Sequence, residues 1–191
     1  MSSSFHDDIL KAVEILRSGG VILYPTDTIW GIGCDATNPV AVKQVYDIKQ
    51  REDSKSMLVL MENPNLLNSY LSTVPEIAWE LIEVAVNPLT IIYPGAKNLA
   101  HNLIATDGSV GIRITNEAFT QQLIQRFRKP VVSTSANISG QKSPQNFSEI
   151  REEIKKSVDY IVAYRQDDRT LSNPSSIIKL GVGGQIEIIR K

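Results

Sequence analysis

Three polar clusters in this chain each follow or end an apolar run. They are Thr26-Asp27-Thr28 after Val21-Ile22-Leu23-Tyr24, Lys49 with Arg51 and Lys55 after Val42, Val45 and Ile48, and Ser133-Thr134-Ser135-Ala136-Asn137-Ile138-Ser139-Gly140. Small hydroxyl and amide side chains after a strand can bind a phosphate or carboxylate while letting backbone N–H groups approach it. Two cations delivered beside them suit an anionic ligand. Each cluster alone is also what ordinary turns and caps are made of. Lys49, Arg51 and Lys55 alone look like a solvated helix end, where the dipole favours each cation by ~0.3 to 1 kcal/mol. Arg113 is harder to dismiss, because it lies inside the apolar run Val110 to Ile114. A cation there is costly unless it is paired or faces a cleft, so it requires a ligand or a structural carboxylate.

Other chemistries find less support. His6 and His101 have no neighbouring Asp and Ser arrangement that resembles a triad, and two separated histidines make no zinc cluster. Cys34, the sole cysteine, follows Gly33 in an apolar setting and reads as a buried small residue; it excludes an intrachain disulfide. Trp30 and Trp79 read as packing residues, although Trp30 sits in the polar loop and could line a pocket. The Walker and dinucleotide glycine signatures are absent.

The elements that must position these residues alternate. Ile9, Leu10, Val13 and Leu16 predict an amphipathic helix stopped by Gly19-Gly20, and Val21 to Tyr24 a strand. Asn38-Pro39 caps a helix that ends near Lys49. Met57 to Met61 and Leu89 to Tyr93 read as strands covered on both faces, with two short helices between them. Ser109 to Ile114 and Pro130 to Thr134 are further strands around a helix over Glu117 to Phe127. A polar loop from Ser135 to Asn146, a charged helix near Ser148 to Lys156 and strands at Tyr160 to Ala163, Ser176 to Leu180 and Gln185 to Ile189 complete the chain. Gly181 to Gly184 joins the last two strands as a hairpin, Gln166 to Arg169 reads as an exposed loop, and mixed parallel and antiparallel pairing follows.

At 191 residues with 42% hydrophobic content the chain has material for one compact α/β domain. Its formal charge of −1 supplies no global field for nucleic acid or membrane, though a local basic cleft remains open. The polar, acidic start and the lack of an apolar run near the ~20 residues of a membrane span predict a soluble, cytoplasmic protein.

Pro25-Thr26-Asp27-Thr28 with Gly31 and Gly33, Lys49-x-Arg51, and Ser135-Ala136-Asn137-x-Ser139-Gly140 with Ser143-Pro144, in this order, resemble the YrdC-like family. Its characterised members are threonylcarbamoyl-AMP synthases of the TsaC type. The resemblance runs from about Gly19 to Arg190, and no extra C-terminal domain is expected. It implies a single domain over 1–191, a twisted mixed sheet flanked by helices with a large positive cleft. It implies the joining of L-threonine, bicarbonate and ATP into threonylcarbamoyl-adenylate with release of pyrophosphate, a nucleotidyl transfer toward threonylcarbamoyladenosine in tRNA.

By the same resemblance Lys49 and Arg51 are the catalytic residues. Thr28, Leu60, Arg113, Ser133 and Ser175 border the threonine site, with Arg113 on the carboxylate. Arg51, Lys55, Ser109, Ser135, Asn137, Ser143 and Arg190 hold ATP. Magnesium would arrive with ATP, bound through phosphates and waters, with no metal ligands from the chain. Downstream tRNA-modification proteins are possible partners, and a monomer or weak homodimer is expected. Glu52 and Ser56 stand where the family often has proline. A non-catalytic RNA-binding or ribosome-assembly factor, or a YrdC-like paralogue with another substrate, are the alternatives.

Overall fold

Phe5–Arg17 forms α1, with Ile9, Ala12, Val13 and Leu16 buried along one stripe and Asp7 and Asp8 in the first turn. The structure, a computed structural model, describes residues 5–50, 57–171 and 173–191. Asp8 does more than complement the helix dipole. Fully buried, it accepts hydrogen bonds from the Tyr160 hydroxyl (2.6 Å) and from the N–H groups of Ala163 (3.2 Å) and Tyr164 (2.9 Å), so α1 is stapled to the far end of the chain.

The strands are β1 (Ile22–Tyr24), β2 (Gly31–Gly33), β3 (Leu58–Met61), β4 (Leu89–Tyr93), β5 (Val110–Ile114), β6 (Val131–Ser135), β7 (Tyr160–Ile161), β8 (Ser176–Leu180) and β9 (Ile186–Arg190). They form one sheet in the order β7-β1-β2-β6-β3-β5-β4-β8-β9. Pairing is mixed as expected: β1–β7, β3–β5 and β4–β8 are parallel and the rest antiparallel. The helices are α2 (Pro39–Lys49), α3 (Leu67–Tyr70), α4 (Glu76–Val84), α5 (Ala118–Phe127) and α6 (Glu152–Lys156). Asn38 caps α2 by accepting from the N–H groups of Val40 and Ala41, and Glu117 caps α5 by accepting from Thr120 N–H.

Two elements differ from expectation. Gly31-Ile32-Gly33, read as part of a polar loop, is β2, a strand too short and glycine-rich to show a period. The charged helix near Ser148 is broken into a 3₁₀ turn over Phe147–Glu149 and the short α6.

The two faces of the sheet are covered unequally, and this creates the cavity. On one face Leu23, Ile32, Val59, Met61, Ile91, Ile112, Val132 and Ile178 pack with α2 in a large apolar cluster. On the other, Ile22, Tyr24, Leu60 and Val131 are sealed by α1 and α5. These helices stop short of the sheet's β4 and β8 side. Beyond them, register places Arg113, Thr90 and Ile177 in one row and Ser133, Leu58, Gly111, Ile92 and Lys179 in the next. This uncovered floor explains why Leu58 and Ile92 are only partly buried, against the expectation of strands covered on both sides. No helix among the described residues is long and apolar enough to cross a membrane.

Candidate active site

The uncovered floor and the loops around it enclose a cavity of about 550 Å³, within the usual range for small-molecule sites. Of the residues assigned to threonine by resemblance, Thr28, Arg113, Ser133 and Ser175 line it. Of those assigned to ATP, Ser109, Ser135, Ser143 and Arg190 line it too. Arg51 and Lys55 lie outside the described residues, as do Glu52 and Ser56.

Arg113 has a protein carboxylate, which resolves one of the two alternatives its burial posed. Its Nη2 lies 2.8 Å from Asp27 Oδ1 and donates to Thr28 Oγ1 at 3.2 Å. Its Nε is buried with no hydrogen-bond partner among the described residues. Burial pushes the Asp27 carboxyl above its ordinary value while Arg113 pulls it down. Thr28 is in turn fixed by Thr26, whose Oγ1 accepts from Thr28 N–H (3.0 Å), lies 3.0 Å from Thr28 Oγ1 and donates to Ile29 O (2.8 Å). Ser133 approaches β2 so closely that a Cβ on Gly31 would stand 2.9 Å from its Oγ.

At the other side of the floor, Ser175 Oγ and Thr90 Oγ1 are 2.8 Å apart, and Arg190 donates to Ser175 O through Nε (2.9 Å) and Nη2 (2.6 Å). Burial, then the nearby charge of Arg113, lowers the Arg190 pKa. Two guanidinium groups that feel each other across a cavity favour an anion between them. Asp107 Oδ1 accepts from Ser109 Oγ (2.6 Å) and N–H (3.0 Å), while its Oδ2 lies 2.7 Å from Lys179 Nζ. These contacts hold the Asp107 carboxyl down at about 2. Thr90, Asp107 and Lys179 were not singled out from the sequence. The signal for Asp107 was Asp-Gly-Ser before a strand, an Asx-type turn, and for Lys179 a lone cation in the apolar run of β8.

Three assigned residues stand elsewhere. Lys49 does not line the cavity: it is 1% exposed, and its Nζ donates to the carbonyls of Ser135 (2.5 Å) and Asn137 (2.7 Å). Ser139 N–H returns a bond to Lys49 O at 2.8 Å. The cation read as a helix-end candidate for catalysis is therefore clamped beneath the Ser135–Gly140 loop, because that loop folds over the end of α2. Asn137 is also behind the loop, donating through Nδ2 to Gln141 O (2.7 Å) and Ile138 O (3.0 Å), and does not line the cavity. Leu60 is corrected as well. It shares Arg113's face but lies under α1 and α5, fully buried, and Leu58 and Met57 line the cavity instead. Trp30 both packs, 4.8 Å from the Phe147 ring centroid, and lines the cavity. Cys34 is buried, and burial pushes its thiol up, which leaves it unreactive.

Comparison with known proteins agrees with this fold. The Sua5/YciO/YrdC family model, described as "Telomere recombination", matches residues 14–191. A threonylcarbamoyl-AMP synthase of Pseudoalteromonas translucida is 34% identical over 157 residues, covering 81% of this chain and 84% of that protein. The crystal structure of E. coli YciO superposes with a TM-score of 0.83 at 26% identity, over 96% of this chain and 88% of that one. P. abyssi Sua5, solved in complex with L-threonine, shares the fold with a TM-score of 0.81 at 23% identity; the match covers 93% of this chain and 52% of that longer one.

Proposed function

We propose, because this chain belongs to the Sua5/YciO/YrdC family, that it is an enzyme that makes threonylcarbamoyl-AMP from L-threonine, bicarbonate and ATP, as a nucleotidyltransferase. The observation that carries this reading is the meeting of Arg113, Thr28 and Ser133 with Ser109, Ser135 and Arg190 in one cavity of about 550 Å³. Such a volume suits an amino acid beside a nucleotide.

In this reading Arg113 receives the threonine carboxylate on its free donors, with its angle set by Asp27 and Thr28. The hydroxyls of Thr28, Ser133 and Ser175 orient the amino acid. Its neutral amine condenses with bicarbonate to a carbamate with loss of water; a carbamate oxygen attacks the α-phosphorus, and the bond to the β-phosphate oxygen breaks as pyrophosphate leaves. Negative charge grows on the transferring and departing groups, and fixed cations stabilise it without a covalent intermediate. We assign this task to Arg190, which lines the cavity, and by family likeness to Arg51 and Lys55. Lys49 acts through the loop carbonyls it holds, by fixing Ser135 at the cavity wall.

Magnesium would travel with ATP. Asp27 is committed to Arg113 and Asp107 to Lys179 and Ser109, and no group of three or more metal-binding side chains occurs among the described residues. These residues do not fit a resident metal, and no step above depends on one.

Pyrophosphate release by the pure protein should require threonine, bicarbonate and Mg-ATP together. Release that ignores threonine, or salt-dependent RNA binding without any release, would overturn the reading.

A further inference from the structure

Arg165 holds φ at 65°, a left-handed conformation that glycine adopts freely and that, among the described non-glycine residues, only Gln50, Asn98 and Arg128 also hold. Such a conformation is kept where the surrounding contacts over-determine it. The Arg165 guanidinium makes three sets of contacts that converge on the threonine side of the cavity. Nε and Nη2 donate to Asp168 Oδ2 at 3.0 and 2.8 Å, Nη1 donates to Thr26 O at 3.2 Å, and Nη1 lies 3.9 Å from Glu117 Oε1. Glu117 caps α5, and Thr120 of that helix reaches Pro25 O at 3.0 Å.

We infer that Arg165 is a positioning residue for the amino acid site, acting through Thr26 and Thr28 upon Arg113. The chain of contacts is continuous: Asp168 orients Arg165, Arg165 fixes the Thr26 carbonyl, Thr26 Oγ1 fixes the N–H and hydroxyl of Thr28, and Thr28 receives Arg113. Arg165 does not line the main cavity, so its effect is indirect. With Thr120 on one carbonyl and Arg165 on the next, the Pro25–Thr28 loop is held from outside. The inference rests on the threonine reading above for its kinetic consequence, but its structural part does not.

Arg165→Gly separates the side chain from the backbone, since glycine relieves the positive φ while removing the guanidinium. Two measurements on the full chain decide the matter. Amide hydrogen exchange at Thr28 should quicken at least tenfold in Arg165→Gly and in Asp168→Asn, with the melting temperature of the glycine variant unchanged or raised. The KM for threonine should rise about tenfold while that for ATP stays within twofold. Arg165→Lys, which keeps the charge and loses the fork, should fall between. Unchanged Thr28 exchange in Arg165→Gly overturns the inference whatever the reaction is. Equal rises in both KM values also overturn it. A wild-type protein that neither binds nor uses threonine would instead remove the functional reading, leaving the exchange result to judge Arg165.

Discussion

Asp27 and Arg113 face each other from different parts of the chain, the β1–β2 loop and the middle of β5, at 2.8 Å and with side chains 10% and 3% exposed. A buried pair of this kind adds little stability, because desolvating both charges offsets most of their attraction. Its effect is directional. Asp27 takes one edge of the guanidinium, Thr28 sits beside it, and Nε has no hydrogen-bond partner among the described residues.

Asp27→Asn keeps the shape and removes the charge, and it should separate stability from function. Burial raises the Asp27 pKa, so the folded protein holds this proton more tightly than the unfolded chain. The stability contributed by Asp27 is therefore full below its ordinary value of 3.8 and is lost as pH rises through the folded value. At pH 7, where the ionised carboxylate no longer contributes that stability, the neutral variant should lie close to wild type in chemical denaturation. Its KM for threonine should nevertheless rise at least tenfold, as Arg113 loses its orientation. A variant with normal threonine KM would show that Asp27 does not orient the arginine.

Lys49→Met should lower stability and activity together. The substitution leaves the carbonyls of Ser135 and Asn137 without their cation, and unsatisfied buried carbonyls cost about 1 to 3 kcal/mol each. A loss of about 3 kcal/mol in urea denaturation is expected, with turnover down by two orders of magnitude in the still-folded protein. Full stability with lost turnover would return Lys49 to direct contact with substrate.

Gly33 is required for packing rather than for conformational freedom. A Cβ there would meet Val132 O at 2.5 Å and the Tyr24 ring at 2.6 Å, a backbone atom and a fully buried side chain, neither able to yield. Gly33→Ala should cost about 3 kcal/mol. Gly108→Ala is the control: nothing stands within 4 Å of its Cβ, and only φ of 76° resists, at about 1 kcal/mol. Thermal melts of the pair should rank in that order.

Arg113 announced itself in the sequence because a cation within Val110 to Ile114 violates burial, and the hydroxyl clusters did so by recurring after strands. Lys49 was misplaced for a physical reason: a charged helix end normally faces water, and only the folding of the Ser135–Gly140 loop over α2 seals it. Leu60 shows the limit of register, which gives the face of a strand but not where a covering helix ends. Arg165 was unreadable, since its role depends on a positive φ and on a carbonyl 139 positions away. Asp107 and Lys179 likewise meet across 72 positions.

Asp107 should show a pH dependence opposite to that of Asp27. Lys179 and the Ser109 hydroxyl and N–H favour its ionised form and lower it from 3.8 to about 2. The unfolded chain therefore binds this proton first on acidification. Stability from Asp107 is full above 3.8 and declines as pH falls toward 2. Both partners are well exposed and screened by solvent, so the pair adds little to stability, and Asp107→Asn should melt slightly below wild type at pH 6 and level with it near pH 2. The larger effect should be local. The asparagine oxygen can still accept from the Ser109 hydroxyl and N–H, but Lys179 loses the carboxylate that fixes its charge at the cavity. The KM for ATP should rise several-fold at pH 7.5 while the KM for threonine stays near wild type. A rise confined to threonine would place the Ser109 end of the cavity with the amino acid instead of the nucleotide.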